Sequence, residues 1–200
     1  MEICNTREKI MNAAITMFSD RGYDNVSMRD IASEVGIKAA SIYNHFPSKR
    51  DILKSIFHYY AEEHLSIFPN VEKALLLLET EEIMDVLLKM NTNWPPDLQD
   101  KMDRIVMIAG QRMCLDKDSE DFVRENIFKP QTEILIPLLK RAIELGKIEP
   151  IDIDTFTKLV MYYTLSVSGL NRTAMKLSID EWNSGMAMLF SLLKPARKRR

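Results

Sequence analysis

Cysteine and histidine are scarce in this chain, so the residues that build common metal sites and disulfide frameworks are mostly missing. Cys4 and Cys114 lie far apart without CxxC or Cys/His spacing, and there are only three histidines. Neither a zinc site nor a disulfide framework is expected from this pattern. The motifs HExxH, GxGxxG, GxSxG and the P-loop are also absent from the sequence. We therefore expect no enzyme, no metal and no cofactor.

Glycine, proline and long apolar runs are also few. Six glycines and eight prolines punctuate 200 residues, of which 46% are apolar, enough to bury a core. No run of about 20 apolar residues and no secretory signal pattern occur, which predicts a soluble, cytoplasmic protein that does not enter a membrane. The apolar residues recur at helical rather than alternating spacing, which predicts an all-α fold of about nine helices.

The most informative stretch is a predicted pair of short helices around Gly36. Ser27 is a typical N-cap with Asp30 three residues on, and an amphipathic helix is expected up to Val35. Gly36 suits a helix end that requires positive φ. A second helix is expected over residues 38–45, with small and polar residues on its outer face. This pattern fits a helix in a DNA major groove, although an ordinary helical corner with a solvated outer face would look the same.

The flanking sequence favours the DNA-reading interpretation. A helix is predicted over residues 6–21, and Ser48 with Asp51 predicts the start of a fourth helix. A dense pattern over about 50 residues consists of Thr6, Ile10, Ala13, Phe18, Gly22-Tyr23, Val26-Ser27-Met28, Ile31-Ala32, Gly36-Ile37, Ser41-Ile42-Tyr43, His45-Phe46, Ser48-Lys49 and Leu53. In this pattern the chain resembles the N-terminal signature of the tetracycline-repressor (TetR) family.

This resemblance implies a three-helix helix-turn-helix head over residues 1–49 that binds double-stranded DNA. It also implies a helical body over residues 50–193 for effector binding and dimerisation, and residues 194–200 form a basic tail. The expected function is a sequence-specific transcriptional regulator, a repressor released from a palindromic operator by a small, largely apolar or aromatic effector. A DNA-binding protein of the same fold that is controlled by a protein partner, or that acts in chromosome organisation, is the alternative.

The head offers side chains both for holding phosphates and for reading bases. Tyr43, Lys49, Ser27 and Lys38 are candidates for phosphate contacts. The resemblance places Arg29 at a position that can reach a base, where a bidentate contact to guanine is possible. Ala39 and Ala40 could meet thymine methyls, and Ser41, Asn44 and His45 could contact bases or phosphates. The alternatives are a solvated cation or ion pair for Arg29, and a packed histidine for His45.

The charge is unevenly distributed along the chain. Residues 1–50 carry seven Lys/Arg and six Asp/Glu, residues 51–193 carry fifteen and twenty-three, and the last seven residues carry five basic side chains. The overall net charge of −2 therefore reflects the middle of the chain. A head with a few well-placed cations can still bind DNA, and a dimer doubles their number.

The rest of the chain is predicted to be helical up to Leu193. The fourth helix is expected to reach about residue 68, and a short segment follows at 70–78. Further helices are expected from Thr80 to about 91 and from residue 97 or 98 onward. The last three are expected over 120–146, with possible kinks at Pro130 and Pro137, over 153–170 and over 179–193. Eight side chains are candidates for the effector site, although core packing explains such residues equally well: Tyr60, Trp94, Met102, Ile105, Met113, Phe122, Tyr162 and Tyr163.

The resemblance also implies a homodimer in which the last two helices pair with their copies as a four-helix bundle. Two heads held about one DNA turn apart would then match a palindrome. The expected interface residues are Phe156, Val160, Tyr163, Val167, Trp182, Met186, Leu189 and Phe190.

Overall fold

The chain is built from α-helices. The computed structural model describes residues 5–67, 70–90, 95–170 and 179–195. Within these ranges it contains eleven α-helical segments and no strand, and its extended pairing is limited to a bridge between Ile148 and Pro195. The predicted all-α fold is confirmed. The segments are α1 (Thr6–Arg21), α2 (Met28–Val35), α3 (Ala39–Ile42), α4 (Lys49–Ile67), α5 (Val71–Thr80), α6 (Ile83–Met90), α7 (Pro96–Arg112), α8 (Lys117–Val123), α9 (Lys129–Glu144), α10 (Ile153–Leu170) and α11 (Ile179–Phe190).

The chain forms two compact units that are not continuous in sequence. The first contains Met1–Ser66 and Trp94–Phe122, and the second contains Ile67–Asn93 and Val123–Arg200. The functional boundary expected after residue 49 stays a prediction, because compactness does not report which residues touch DNA or an effector.

In the first unit, α1 packs against α2 and α7, and α2 packs against α3. The core of this unit is formed by fully buried apolar side chains that come from every one of these helices and from the start of α4. The largest are Ile10, Ile15, Phe18, Ile31, Ile42, Phe46, Ile52, Leu53, Ile56, Met102 and Ile105. Burial of each such side chain stabilises the fold by about 1.5–3 kcal/mol, so this core fixes the short helices α2 and α3.

The ends of the short helices follow the capping chemistry that the sequence predicts. Ser27 accepts a hydrogen bond from the backbone N–H of Asp30, whose carboxylate accepts one from the N–H of Ser27, so the capping box is complete. Gly36 adopts φ 75° and ψ 30°, and the N–H of Ile37 bonds back to the carbonyl of Ala32 at 2.9 Å. This left-handed residue ends α2 and turns the chain into α3.

Three predicted helix boundaries were wrong. The second helix of the corner is one turn, Ala39–Ile42, followed by a turn over residues 43–45, and Lys38 supplies no side-chain cap. Thr80 does not begin a helix: it is the last residue of α5, and its hydroxyl donates to the carbonyl of Leu77. The final helix ends at Phe190 rather than Leu193, which is buried beyond the helix end.

The structure contains the predicted break before α7 and the predicted long helical segment after residue 120. Both differ in detail from the prediction. Pro96 is the first residue of α7, where its missing N–H has no intrahelical partner to lose. A turn of π-helix, Arg124–Phe128, joins α8 to α9 just before Pro130, and Pro137 lies inside α9. Gly146, at φ 65°, follows the end of α9 as expected.

In the second unit, α5 packs on α6 and α9, α9 packs on α10, and α10 packs on α11. Their inner faces share one apolar core, which includes Leu78, Val86, Leu138, Leu139, Phe156, Val160, Met186 and Phe190. No helix in the described part of the chain is long and apolar enough to cross a membrane.

Candidate nucleic-acid interface

The candidate interface consists of the start of α2, the whole of α3 and the turn that follows α3. Ile42 and Phe46 anchor this segment because they are 0% and 1% exposed. The side chains that face away from this anchor are left in solvent: Lys38, Ala39, Ala40, Tyr43 and Asn44 are exposed, and Ser41 and His45 are half-buried. Tyr43 is 53% exposed, so its hydroxyl can reach an external group.

The positively charged side chains of this region differ in how far the protein itself already engages them. Arg29, in the first turn of α2, and Lys38, before α3, are both exposed. Neither makes an ion pair or a side-chain hydrogen bond among the described residues. Both cations are therefore available to an external anion without the loss of an internal contact.

Lys49 is held inside the protein instead. Its ammonium donates to the carbonyl oxygens of Tyr23 and Val26, each at 2.8 Å, and lies 4.2 Å from the centroid of the Tyr23 ring. Partial burial of the side chain lowers the pKa of Lys49. The predicted phosphate contact by Lys49 therefore competes with three interactions that already exist.

Ser27 is also engaged. Its hydroxyl donates to the carboxylate of Asp30 at 2.6 Å, and this hydrogen bond, with the backbone N–H of Ser27, lowers the pKa of Asp30. A phosphate could receive the hydroxyl proton of Ser27 only if this bond were broken. The predicted contact by Ser27 is therefore less direct than the contacts predicted for Arg29 and Lys38.

Two arginines of α7 attach that helix to the head, and the sequence alone did not single them out. Arg104 donates to Ser19 Oγ and to Asp20, both at 2.8 Å, and Arg112 donates to Asp24 at 3.0 Å. The guanidinium of Arg112 also lies 4.1 Å from the centroid of the Tyr23 ring. The arginine side chains are 16% and 14% exposed, whereas those of Asp20 and Asp24 are 47% and 74% exposed, so each pair is shielded from solvent on the arginine side only.

The start of α4 is attached to the start of α8 in the same way. Arg50 donates to Asp118 at 2.6 Å, and this hydrogen bond is the main reason that the pKa of Asp118 lies below its ordinary value. Lys54 lies 3.7 Å from the same carboxylate. These contacts are within the first unit, and they join sequence segments that are more than 60 residues apart.

Residues 10–56 match the family model of bacterial regulatory proteins of the tetR family. This region is about a quarter of the chain, and over it the chain is similar to proteins of that family. Over 46 residues it is 52% identical to the biofilm operon icaADBC HTH-type negative transcriptional regulator IcaR of Staphylococcus aureus strain Newman. That match covers 23% of this chain and 25% of IcaR, so the chain spans about a quarter of the length of the curated relatives it matches.

Solved structures resemble this chain along almost its whole length. The ketosteroid transcriptional regulator KstR2 of Mycobacterium tuberculosis has a TM-score of 0.68 at 18% identity, covering 96% of this chain and 97% of that one. AibR, solved in complex with isovaleryl coenzyme A and operator DNA, has a TM-score of 0.66 at 17% identity, covering 96% and 100%. At these identities the likeness shows a shared fold.

The side chains expected to face an effector in this chain do not form one set. Tyr60, Met102, Ile105 and Phe122 are buried in the first unit, and Met113 is half-buried at the end of α7. Tyr162 is 59% exposed, so an effector contact by this residue stays a prediction. Tyr163 is half-buried in the second unit, and Trp94 lies outside the described residues.

An aromatic cluster forms around Phe122. The rings of Phe57 and Phe122 are stacked at 4.2 Å, and Tyr60 meets Phe122 edge to face at 5.2 Å. Burial, with the nearby charge of Asp103, raises the pKa of Tyr60 far above its ordinary value. Tyr60 therefore stays neutral at physiological pH.

Three buried polar atoms that the sequence did not indicate have no hydrogen-bond partner in the described part of the chain. They are Ser119 Oγ, Gln131 Oε1 and Thr157 Oγ1. Buried polar atoms without a partner destabilise a protein by about 1–3 kcal/mol each, so they are rare and often functional. No group of three or more His, Cys, Asp or Glu side chains that could hold a metal occurs among the described residues.

The predicted dimer interface stays a prediction, and most of its described residues lie in the core of the single chain. Phe156, Val160, Met186 and Phe190 are no more than 8% exposed in the single chain, because they pack into the core of its own second unit. Tyr163 and Leu189 are half-buried against the same core, and the side chains of Val167 and Trp182 lie outside the described set. Helical periodicity identified the apolar face of α10 and α11 that the protomer itself uses.

A different set of apolar side chains on α10 and α11 faces solvent. Leu159 and Tyr162 on α10 are 44% and 59% exposed, and Met188 and, just beyond the end of α11, Leu192 are 76% and 56% exposed. Because both helices place their inner faces on the same core, their outer faces point away from it. An exposed apolar face of this kind typically marks an interaction surface.

Proposed function

We propose that this protein is a dimeric DNA-binding transcriptional regulator, and more specifically a repressor that releases a palindromic operator when a small effector binds. The observation that carries the proposal is the match of residues 10–56 to the tetR family, together with the solvent-exposed polar face of α3 within that region. A regulator of this kind works where the chromosome is, so we place it in the cytoplasm.

The proposed DNA contacts divide into two kinds. Lys38 and Tyr43 bind phosphates, because an ammonium and a phenol hydroxyl that are both exposed can donate to them. Arg29 reads a base, because its guanidinium is exposed at the start of α2 and makes no ion pair with any described residue. The remaining proposed contacts come from Ser27, Ala39, Ala40, Ser41, Asn44 and His45, which follow one another along the same segment.

The proposed dimer uses the outer faces of α10 and α11. Phe156 packs near Phe190 and Tyr163 near Gly185, so the two helices run antiparallel and Leu159 comes level with Met188. A second copy of the chain, with the same apolar face, would bury all four exposed apolar side chains in a two-fold interface. The two heads would then be held at a fixed spacing, which is what recognition of a palindrome requires.

The proposed effector is largely apolar or aromatic. The cluster of Phe57, Tyr60 and Phe122 supplies aromatic surface in the first unit, and Ser119 lies one helical turn before Phe122 with an unpartnered hydroxyl. AibR, which shares the fold, was solved with both operator DNA and a coenzyme A thioester. For release, the effector must bind the arrangement that cannot hold the operator more tightly than the arrangement that can.

The experiment that tests the proposal is a selection of random duplex DNA by the purified full chain, with the mass of the complex measured in solution. We expect a palindromic sequence bound by a dimer. Recovery of no preferred sequence by a chain that is folded and dimeric would contradict it.

The dimer surface has a matched pair of variants. Leu159→Glu places a charge on the outer face of α10, whereas Leu76→Glu places the same charge at another exposed leucine, on α5. We expect Leu159→Glu to give monomers that bind the palindrome at least tenfold more weakly, and Leu76→Glu to remain dimeric. If both variants stay dimeric, the proposed face is wrong.

A further inference from the structure

The ammonium of Lys49 connects the first residue of α4 to the turn that precedes α2. It donates to the carbonyls of Tyr23 and Val26 at 2.8 Å and lies over the Tyr23 ring at 4.2 Å. All three partners belong to one short segment, which contains a single turn of 3₁₀-helix, Tyr23–Asn25. An ammonium has three N–H protons, and two of them are used by these carbonyls.

The Tyr23 ring is held from more than one direction. Phe18 packs against it at 4.9 Å, and Arg112 lies 4.1 Å from its centroid while also bonding to Asp24. A cation within about 6 Å of an aromatic centroid is attracted by the negative face of the ring. Lys49 and Arg112 therefore both act on the same ring and restrain the same turn.

This turn determines where α2 begins. Val26 is 1% exposed, and Ser27, the next residue, caps α2 through its exchange with Asp30. Arg29 lies in the first turn of the same helix, and α2 packs directly on α3. A shift of the turn would therefore displace Arg29 and the DNA-facing side of α3 together.

We infer that Lys49 is a positioning residue: together with Tyr23 it holds the turn before α2 in place, and it does not neutralise an operator phosphate. Lys38 provides the contrast, since it is exposed and makes no ion pair or side-chain hydrogen bond among the described residues. The inference rests on the proposed function, because positioning matters here for DNA binding. It deepens that proposal by separating two lysines that the sequence grouped together.

The salt dependence of DNA binding distinguishes a phosphate contact from a positioning role. Each phosphate contact contributes about 0.9 to the slope of log affinity against log salt concentration, whereas an internal contact contributes nothing to that slope. Binding of the selected duplex should be measured over a sodium chloride series for the wild type and for Lys49→Met, Tyr23→Leu, Tyr23→Phe and Lys38→Met.

We expect Lys38→Met to reduce the slope by about 0.9 per contact in each protomer. Lys49→Met and Tyr23→Leu should weaken binding about tenfold or more at every salt concentration with the slope unchanged, while Tyr23→Phe keeps wild-type affinity because the ring remains. A reduced slope for Lys49→Met, with Tyr23→Leu harmless, would overturn the inference.

Lys49→Arg keeps the positive charge and provides a second test in case Lys49→Met does not fold. A guanidinium retains the charge that a phosphate needs, but its planar fork does not fit the site of a compact ammonium between two carbonyls. Weakened binding by Lys49→Arg supports positioning, and full retention of affinity contradicts it. Thermal unfolding followed by circular dichroism confirms that each variant is folded.

Amide hydrogen exchange tests the inference without DNA. Exchange at residues 27–31 should be faster in Lys49→Met and Tyr23→Leu than in the wild type and in Lys38→Met. Unchanged exchange would overturn the positioning role whatever happens with DNA. If the wild-type chain selects no duplex, the proposed function fails, and the exchange rates still decide the role of Lys49.

Discussion

The ring of Tyr163 on α10 occupies the space beside Gly185 on α11 where any larger residue would place its β-carbon. A β-carbon at residue 185 would lie 2.6 Å from Tyr163 Cζ and closer still to the phenol oxygen. Gly185 is inside α11, where glycine lowers helix stability by about 1 kcal/mol relative to alanine. Its presence is explained by the close approach of the two helices.

Gly185→Ala should therefore destabilise the protein despite the better helix propensity of alanine. We expect a net loss of about 1–3 kcal/mol in the free energy of unfolding, because the Tyr163 ring must leave its position. Chemical denaturation measures it. Gly185→Ala combined with Tyr163→Leu should be less destabilised than the sum of the two single variants, and strict additivity would show that the two residues do not interact.

Thr157→Val should stabilise the protein. Thr157 is 2% exposed and its hydroxyl has no partner among the described residues, so replacing it with a methyl group of similar volume removes an unsatisfied polar atom. We expect a gain of about 1 kcal/mol in the free energy of unfolding, measured by urea denaturation. Thr155→Val is the matched control: the hydroxyl of Thr155 bonds to Asp152 at 2.7 Å, so that variant should lose stability.

Arg29→Ala should relax the preference for one base pair of the selected sequence. The expected loss is about 1–3 kcal/mol at that base pair if the contact to guanine is bidentate. Competition binding against single-base variants of the operator measures it. Tyr43→Phe, which removes a proposed phosphate contact, should weaken all sequences alike, and unchanged base preference in Arg29→Ala would exclude Arg29 as a reader.

Stability should fall in acid because two carboxylates of the first unit have lowered pKa values. Asp118 bonds to Arg50, and Asp30 bonds to Ser27, so each has a folded pKa below its ordinary 3.8. Their stabilising contribution is present above pH 3.8 and is lost as the pH falls through the folded pKa.

Acid unfolding measured by circular dichroism tests this sign. Between neutral pH and about pH 5 these two groups should cause no change in the free energy of unfolding. Asp118→Asn should be less stable than the wild type at neutral pH and should lose less stability on acidification. If the free energy of unfolding falls equally with decreasing pH in the wild type and in Asp118→Asn, the role assigned to Asp118 is wrong.

At alkaline pH, ionisation of Tyr59 should lower the stability of the folded protein. Burial, with the nearby carboxylates of Glu63 and Glu8, raises the pKa of Tyr59 to about 12. The neutral phenol is favoured in the folded state, so stability is fully present below the ordinary pKa of 10.0 and declines as the pH rises from there through the folded value. Tyr59→Phe should weaken this decline, and absorbance at 295 nm during titration reports phenol ionisation.

Local sequence chemistry predicted α1, the start of α2 and the turn that ends α2, but not the extent of α3. The Ser27 and Asp30 capping pair, the positive φ of Gly36 and the apolar spacing in α1 are properties of neighbouring residues, so they were predicted correctly. The exposed residues of α3 followed from the same periodicity, because Ile42 and Phe46 leave only one side free.

The tertiary structure decided what depends on residues that are distant in sequence. Lys49 could not be distinguished from Lys38 until the carbonyls of Tyr23 and Val26 were seen to occupy its ammonium. The apolar faces of α10 and α11 were visible in the sequence, but only packing showed that the protomer itself buries Phe156 and Phe190. Periodicity identifies an apolar face, whereas the residues that cover it are determined by long-range contacts, and these have no local signature.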